Sequence, residues 1–149
     1  MKAIADQLEM VVRTHLPALK NISEEEFSYK KQQGKWSKKE ILGHLVDSAQ
    51  NNIRRFIVAR YESKPKIVYN QDQWVSVTNY QEYNSDDLIQ LWTLLNKHIC
   101  QLLRNIPADS TQLEVQTEQL HTLEWLAGDY VRHLLHHLHQ VLDLEPVSY

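Results

Sequence analysis

The sequence predicts an all-α fold, a four-helix bundle with long ordered connections, and three observations carry that expectation. Four stretches repeat apolar residues at helical spacing, as amphipathic helices do. Gly 3 and Pro 4 leave little turn punctuation in 149 residues, which favours a few long helices over many short strands. Hydrophobic content of 42% and charged content of 23% are ordinary for a globular chain able to bury one core, so residues 1–149 read as a single domain.

The first helix is expected over residues 2–22, where Ile4, Leu8, Val11, Val12, His15 and Leu19 share a stripe. His15 lies inside that stripe. It is either a core histidine with a satisfied hydrogen bond or a polar group reaching a central pocket. Ser23-Glu-Glu-Glu26 has the form of a capping box and starts a short turn of helix. A polar connector, 27–36, ends in Gly34-Lys-Trp36. Ser37 then caps the second helix, with Glu40 three residues on, and the helix runs to about residue 61. Its core face holds Ile41, Leu42, Leu45, Ala49, Ile53 and Phe56. His44 sits at one edge, and Ser48, Asn51 and Arg55 follow it along that edge. Such a strip is either the polar border of an amphipathic helix or one wall of a site. Asp47 is offset by about 60° from His44, which reads as an exposed helix residue or a hydrogen-bonding support for a ligand, the former preferred.

Residues 62–84 would be a long loop for a compact domain. Their aromatic residues, Tyr69, Trp74, Tyr80 and Tyr83, argue for an ordered excursion over one end of the bundle, or for a short element hidden in it. Trp74 and Tyr80 are candidates to line a pocket. Ser85-Asp-Asp87 opens the third helix, which carries Leu88, Leu91, Trp92, Leu95, Ile99, Leu102, Leu103 and Ile106 to about residue 105 before Pro107. His98 lies near the stripe margin and Cys100 well off it, and both read as structural or surface residues. Residues 107–121 look irregular, with some extended structure at Leu113-Glu-Val115. Thr122 caps the fourth helix, about 123–143, whose stripe is Leu123, Leu126, Tyr130, Leu134, Leu138 and Val141.

That last helix holds four of the eight histidines within seven residues. Histidine is the commonest metal-ligating side chain and titrates near neutrality. Helical phase divides the cluster. His137 falls in the apolar stripe and His133 lies about 40° away, one turn earlier. His136 and His139 point outward or toward a neighbour. Two imidazoles at i and i+4 can bind one metal ion, and His44 offers a third ligand from the edge of another core-facing helix. Three histidines would leave positions open for water or substrate, as catalytic sites do. The alternative, three neutral histidines in a polar core, requires a hydrogen-bond partner for each ring nitrogen.

Lys35-Trp-Ser-Lys-Lys-Glu-Ile-Leu-Gly-His44-Leu-Val-Asp47-Ser48-Ala-Gln-Asn51-Asn-Ile-Arg-Arg55-Phe56 resembles the second-helix signature of the DinB-like metalloprotein superfamily, and most of all its YfiT-type metal-dependent hydrolases. Pro65…Tyr69-Asn-Gln-Asp72-Gln-Trp74 resembles the loop of that type. His133-Leu-Leu-His136-His137-Leu-His-Gln140 resembles the terminal H-x-x-H-H pattern. The resemblance covers roughly residues 35–143. It implies an up-down-down-up order of the four helices, often in a homodimer. It also implies a divalent metal, nickel or zinc, on His44, His133 and His137. Among relatives it implies thiol transferases using bacillithiol or mycothiol, a maleylpyruvate isomerase of the glutathione type, and many proteins without a known reaction.

Function then has three readings. In the first, the protein is a metal-dependent hydrolase or thiol S-transferase. The metal lowers the pKa of water or a low-molecular-weight thiol, while Asn51 and Arg55 orient or charge-neutralise a small-molecule substrate. In the second, the bundle binds metal or a small ligand without catalysis. In the third, the histidines are plain polar core. Charge is uneven: residues 1–66 hold 13 Lys+Arg against 8 Asp+Glu, and residues 67–149 hold 3 against 11. The surplus around Lys30, Lys31, Lys35, Lys38 and Lys39 reads as a solvated loop and helix start, because no groove-reading or aromatic–basic motif accompanies it, so no nucleic-acid partner is expected. No apolar run is long enough for a membrane span, the first residues lack a secretory core, and one cysteine suits a reducing cytoplasm.

Overall fold

The computed structural model describes residues 1–149. Four long helices make the bundle: α1 (Lys2–Lys20), α3 (Lys38–Val58), α5 (Ser85–Arg104) and α6 (Leu123–Val141). Two short helices, α2 (Glu24–Ser28) and α4 (Gln71–Thr78), and an antiparallel hairpin of β1 (Glu114–Gln116) and β2 (Leu120–Thr122) lie in the connections. No helix is long and apolar enough to cross a membrane.

Side-chain contacts give the helix directions. Arg104, at the end of α5, reaches Asp6 (2.8 Å) and Glu9 (2.5 Å) near the start of α1, so these helices are antiparallel. Lys38, at the start of α3, reaches Asp143, just past the end of α6 (2.6 Å), so this pair is antiparallel too. The rings of His15 and His139, late in α1 and α6, lie 5.9 Å apart, so these two run together. This is the expected up-down-down-up order. It forces a long crossover between the parallel α3 and α5, which residues 59–84 supply. The core includes Leu8, Leu19, Leu45, Trp92, Ile99, Leu103, Leu134 and Leu138, all fully buried. Each such leucine contributes roughly 1.5–3 kcal/mol by leaving water.

Local chemistry sets the helix starts. Ser37 Oγ accepts from the Glu40 amide (3.1 Å), and the Glu40 carboxylate accepts from the Ser37 amide (2.8 Å), which closes the expected capping box. Thr122 Oγ1 accepts from the Trp125 amide. The third long helix is capped one residue earlier than expected, because Asn84 Oδ1 accepts from the Asp87 amide (3.0 Å), leaving the Ser85 hydroxyl to donate to Glu24. The four long helices stop one to three residues short of the expected ends.

Three further regions take definite form in the structure. Residues 62–84 contain α4 and a turn of 3₁₀ helix, Tyr80–Glu82, joined by left-handed Asn79 (φ 55°). Cys100 is buried, its thiol facing the Ala5 carbonyl, while Leu91 is partly exposed. The reason is that α5 packs against both α1 and α3, so its buried surface is wider than one stripe and includes Ile89, Thr93 and Asn96. The basic surplus is largely drawn into ion pairs. Lys30 reaches Glu40, Lys31 reaches Asp143, Lys38 reaches Glu26 and Asp143, and Lys39 reaches Glu24. Lys38 and Lys39 are buried, held additionally in the case of Lys39 by the Tyr83 carbonyl (3.0 Å).

Candidate metal centre

His44, His133 and His137 converge where α3 crosses α6. His44 Nε2 and His133 Nε2 are 3.1 Å apart, and one donor nitrogen from each of the three rings lies within 4.8 Å of the others. Ring centroids stand 4.5–5.0 Å apart, all edge to face. The helical phase explains this arrangement: i and i+4 on α6 stack on the face that meets α3. Two nitrogens bound to one ion at about 2.0–2.1 Å stand roughly 3–3.4 Å apart, and the His44–His133 separation fits.

The electrostatics also fit a cationic guest. Burial holds the His44 imidazole down at about pKa 4, with His137 adding to the effect. Burial and then the neighbouring histidines hold His133 at about 3. Burial lowers His137 as well, although its bond to Gln140 opposes the shift. Neutral imidazoles keep a lone pair available, which is the state that binds metal. His137 Nδ1 donates to Gln140 Oε1 (2.9 Å), which fixes its tautomer and leaves Nε2 as the free donor atom. His44 Nδ1 has no partner in the protein, and the ring packs against Trp36 at 5.2 Å. A set of three converging neutral rings with so few internal partners suits a metal better than a self-satisfied polar core.

Behind His44, Ser48 and Asn51 of the strip along α3 are buried and Arg55 is half-buried. Asn51 Nδ2 donates to the Asp47 carbonyl (2.9 Å). Arg55 donates from Nε and Nη2 to the Ile67 carbonyl (3.3 and 3.2 Å) and from Nη1 to Asn52 Oδ1 (3.3 Å). Ile67 in turn pairs with Gln116 of the hairpin, so Arg55 ties the crossover to the bundle. Its positive charge is close enough to His133 to depress that ring further.

The preference for an exposed Asp47 is overturned. Asp47 is fully buried and accepts a hydrogen bond from the Tyr80 hydroxyl, while its other oxygen has no partner. Burial raises its carboxyl to about 6, despite the opposing Tyr80 bond. The cause is tertiary. Tyr80, delivered by the crossover, lies flat over Gly43, where a Cβ would come within 2.1 Å of the ring.

His136 and His139 do not join the cluster, but neither do they face open solvent. The returning C-terminal segment covers them: His136 Nδ1 donates to the Val147 carbonyl and His139 Nδ1 to that of Glu145. Gln140 bridges, giving its amide N–H to His136 Nε2 while accepting from His137. His15 is half-buried and bonds the Val11 carbonyl of its own helix (2.8 Å), while His98 is exposed. Trp74 packs on Tyr69 at the surface. The sequence reading missed Trp36 and Tyr149 as neighbours of the histidines. Trp36 stood in the quoted signature and could have been singled out, whereas Tyr149 lies beyond every periodic stretch. A cavity of about 460 Å³ opens beside the cluster, with Trp36, Ile41, His136, Gln140 and Pro146 in its walls.

The chain belongs to the DinB superfamily, whose family model matches residues 7–141. It is 26% identical over 115 residues to the "Putative metal-dependent hydrolase YfiT" of Bacillus subtilis (strain 168), an alignment that takes in 74% of this chain and 65% of the relative. The chain thus spans just under two thirds of that relative's length. A protein of Bacillus mycoides (strain KBAB4) that carries the same hydrolase description is 26% identical over 129 residues, covering 85% of this chain and 75% of the relative. Among solved structures, YfiT from Bacillus subtilis, described as a probable metal-dependent hydrolase with an unusual four-helix bundle topology, superposes with a TM-score of 0.85 at 22% identity, over 95% of this chain and 83% of that one. A mycothiol-dependent maleylpyruvate isomerase superposes with a TM-score of 0.76 at 14% identity, over 98% of this chain and 61% of that one. These structures share the four-helix fold of this chain.

Proposed function

We propose that this DinB-superfamily chain binds a divalent metal ion through His44, His133 and His137 and is a metal-dependent enzyme, a hydrolase or thiol S-transferase acting on a small molecule. The observation that carries the reading is the convergence of three neutral imidazoles on two helices, two of them with Nε2 atoms 3.1 Å apart although 89 residues separate them in sequence. The names of the relatives support a metal-dependent activity, and the mycothiol-dependent neighbour supports a thiol as one reactant. An all-imidazole donor set suits nickel or zinc. A bound ion would supply Lewis-acid chemistry, lowering the pKa of a water or thiol in a remaining open position.

The chain's own residues do the rest. Gln140 fixes the tautomer and ring direction of His137. Trp36 packs against one side of the buried His44 ring. Arg55, anchored on Ile67 and Asn52, brings a positive charge toward an anionic substrate group or thiolate. Asn51 gives one amide N–H to the Asp47 carbonyl, which leaves its other N–H and its Oδ1 to orient a substrate group.

The test is a screen of metal-reconstituted protein for hydrolysis and for conjugation of low-molecular-weight thiols, bacillithiol and mycothiol among them. Turnover that disappears in His44→Ala with the fold intact is the expected result. A protein that binds metal and melts higher with it, yet turns over nothing in either assay, is instead a non-catalytic metal-binding bundle.

A further inference from the structure

The two histidines left out of the cluster hold the end of the chain in place. After α6, left-handed Asp143 (φ 51°) turns the backbone around, and Lys31 (2.9 Å) and Lys38 (2.6 Å) pin its carboxylate. The returning segment is then bonded at alternate steps. The Leu144 amide donates to the His139 carbonyl (2.9 Å), His139 Nδ1 donates to the Glu145 carbonyl (2.6 Å), and His136 Nδ1 donates to the Val147 carbonyl (2.9 Å). This path brings Tyr149 to the histidine cluster. Its ring meets His133 edge to face at 5.2 Å and lies 5.8 Å from His136, and its hydroxyl donates to Asp129 Oδ2 (3.1 Å). Tyr149 is nevertheless 62% exposed, so most of the side chain faces solvent. A side chain held by one hydrogen bond and contacts with two histidine rings, with no core around it, can move without unfolding the bundle.

We infer that Leu144–Tyr149 is a strap and that Tyr149 is a specificity-determining residue: its ring walls the His133 side of the three-histidine site. A compact donor reaches the site beside the ring, and a donor with a bulky neighbouring group must displace it. The inference rests on the reading of the three histidines as the metal site, and its test separates the two.

One arm needs no metal. Metal-free full-length protein is treated with diethyl pyrocarbonate and the modified histidines are mapped by mass spectrometry. Tyr149→Ala should raise the rate at His133 about tenfold, as if one strap contact had been holding the site closed, while exposed His98 keeps its rate. Tyr149→Phe keeps the ring and loses the hydroxyl, so it should fall between the two. Equal His133 rates in wild type and Tyr149→Ala would overturn the inference. The other arm titrates cobalt(II)-loaded protein, by visible absorption, with imidazole and with a phenyl-substituted imidazole. Tyr149→Ala should tighten the bulky ligand about tenfold, the scale of one charge-assisted hydrogen bond no longer broken on entry, and leave imidazole unchanged. An unchanged preference between the two ligands would overturn it. If cobalt does not bind at the histidines, the metal reading fails, and the first arm still decides whether Tyr149 covers His133.

Discussion

Helices α1 and α3 are of similar length and both cross the core, but they bury different things. All five buried residues of α1 are apolar: Ala5, Leu8, Val11, Val12 and Leu19. Seven of the thirteen buried residues of α3 are polar or charged: Lys38, Lys39, His44, Asp47, Ser48, Asn51 and Asn52. Burying a polar group costs stability unless it finds a partner, so the partners sort these seven. Lys38 and Lys39 are neutralised by carboxylates. Asn51 and Asn52 donate to carbonyls of their own helix, and Ser48 Oγ accepts from Asn52 Nδ2 (3.5 Å). His44 Nδ1 and the second oxygen of Asp47 find nothing in the protein. A fold alone has no use for those two atoms where they are, and they lie within a turn of the histidine cluster. In this bundle α1 buries an apolar face, and α3 buries a polar one that includes two unpartnered atoms.

That contrast can be broken or sharpened by substitution. The largest effect on folding belongs to α1. Leu8→Ala should lower unfolding free energy by about 2–5 kcal/mol, the range for a cavity at a fully buried leucine, measured by denaturant melts, with unchanged metal stoichiometry in the folded protein. Gly43→Ala comes next, because its Cβ would meet the Tyr80 ring. A loss of about 1–3 kcal/mol is expected from overpacking, with Tyr80 displaced from Asp47.

Asp47→Asn should act through pH. The folded-state carboxyl is raised to about 6 from its ordinary 3.8. Its stabilising contribution is therefore fully present below about pH 3.8 and is lost as pH rises through about 6. Melting temperatures of the variant should gain on wild type between about pH 4 and about pH 6 and then level off, and a constant difference across that window would contradict the burial assigned to Asp47. The smallest effect is His44→Leu in metal-free protein. Replacing a buried imidazole with an unpartnered nitrogen by a side chain of similar size should leave stability unchanged or raise it by up to about 1 kcal/mol. A clear loss would mean that His44 serves the fold.

What could be read from the sequence follows the range of the signal. The four long helices, the Ser37–Glu40 capping box and the division of His133 and His137 from His136 and His139 all rest on spacings within one helix, where the period of 3.6 residues decides direction. The pairing of His44 with that set also came from phase, each residue standing at or within the core-facing side of its own helix. What was misjudged or left open needed distant partners. Asp47 is buried because Tyr80 arrives from the crossover, and Cys100 because α5 is covered on two sides. Helix α4, Gln-Asp-Gln-Trp-Val-Ser-Val-Thr, has only a short and weakly patterned apolar face, so periodicity could not mark it, although Asn70 was available as its cap. The Tyr149 contact depends on a left-handed turn at Asp143 that no pattern in the last residues announces.

The central claim is that the polar face of α3 exists to complete a metal site with α6. Elemental analysis of the full chain, purified without a histidine tag and reconstituted with nickel, zinc or manganese, tests it directly. About one divalent ion per chain is expected for a single three-histidine site, falling to background in His44→Ala and in His133→Ala. A chain that holds no metal after reconstitution, or as much in His44→Ala as in wild type, would contradict it.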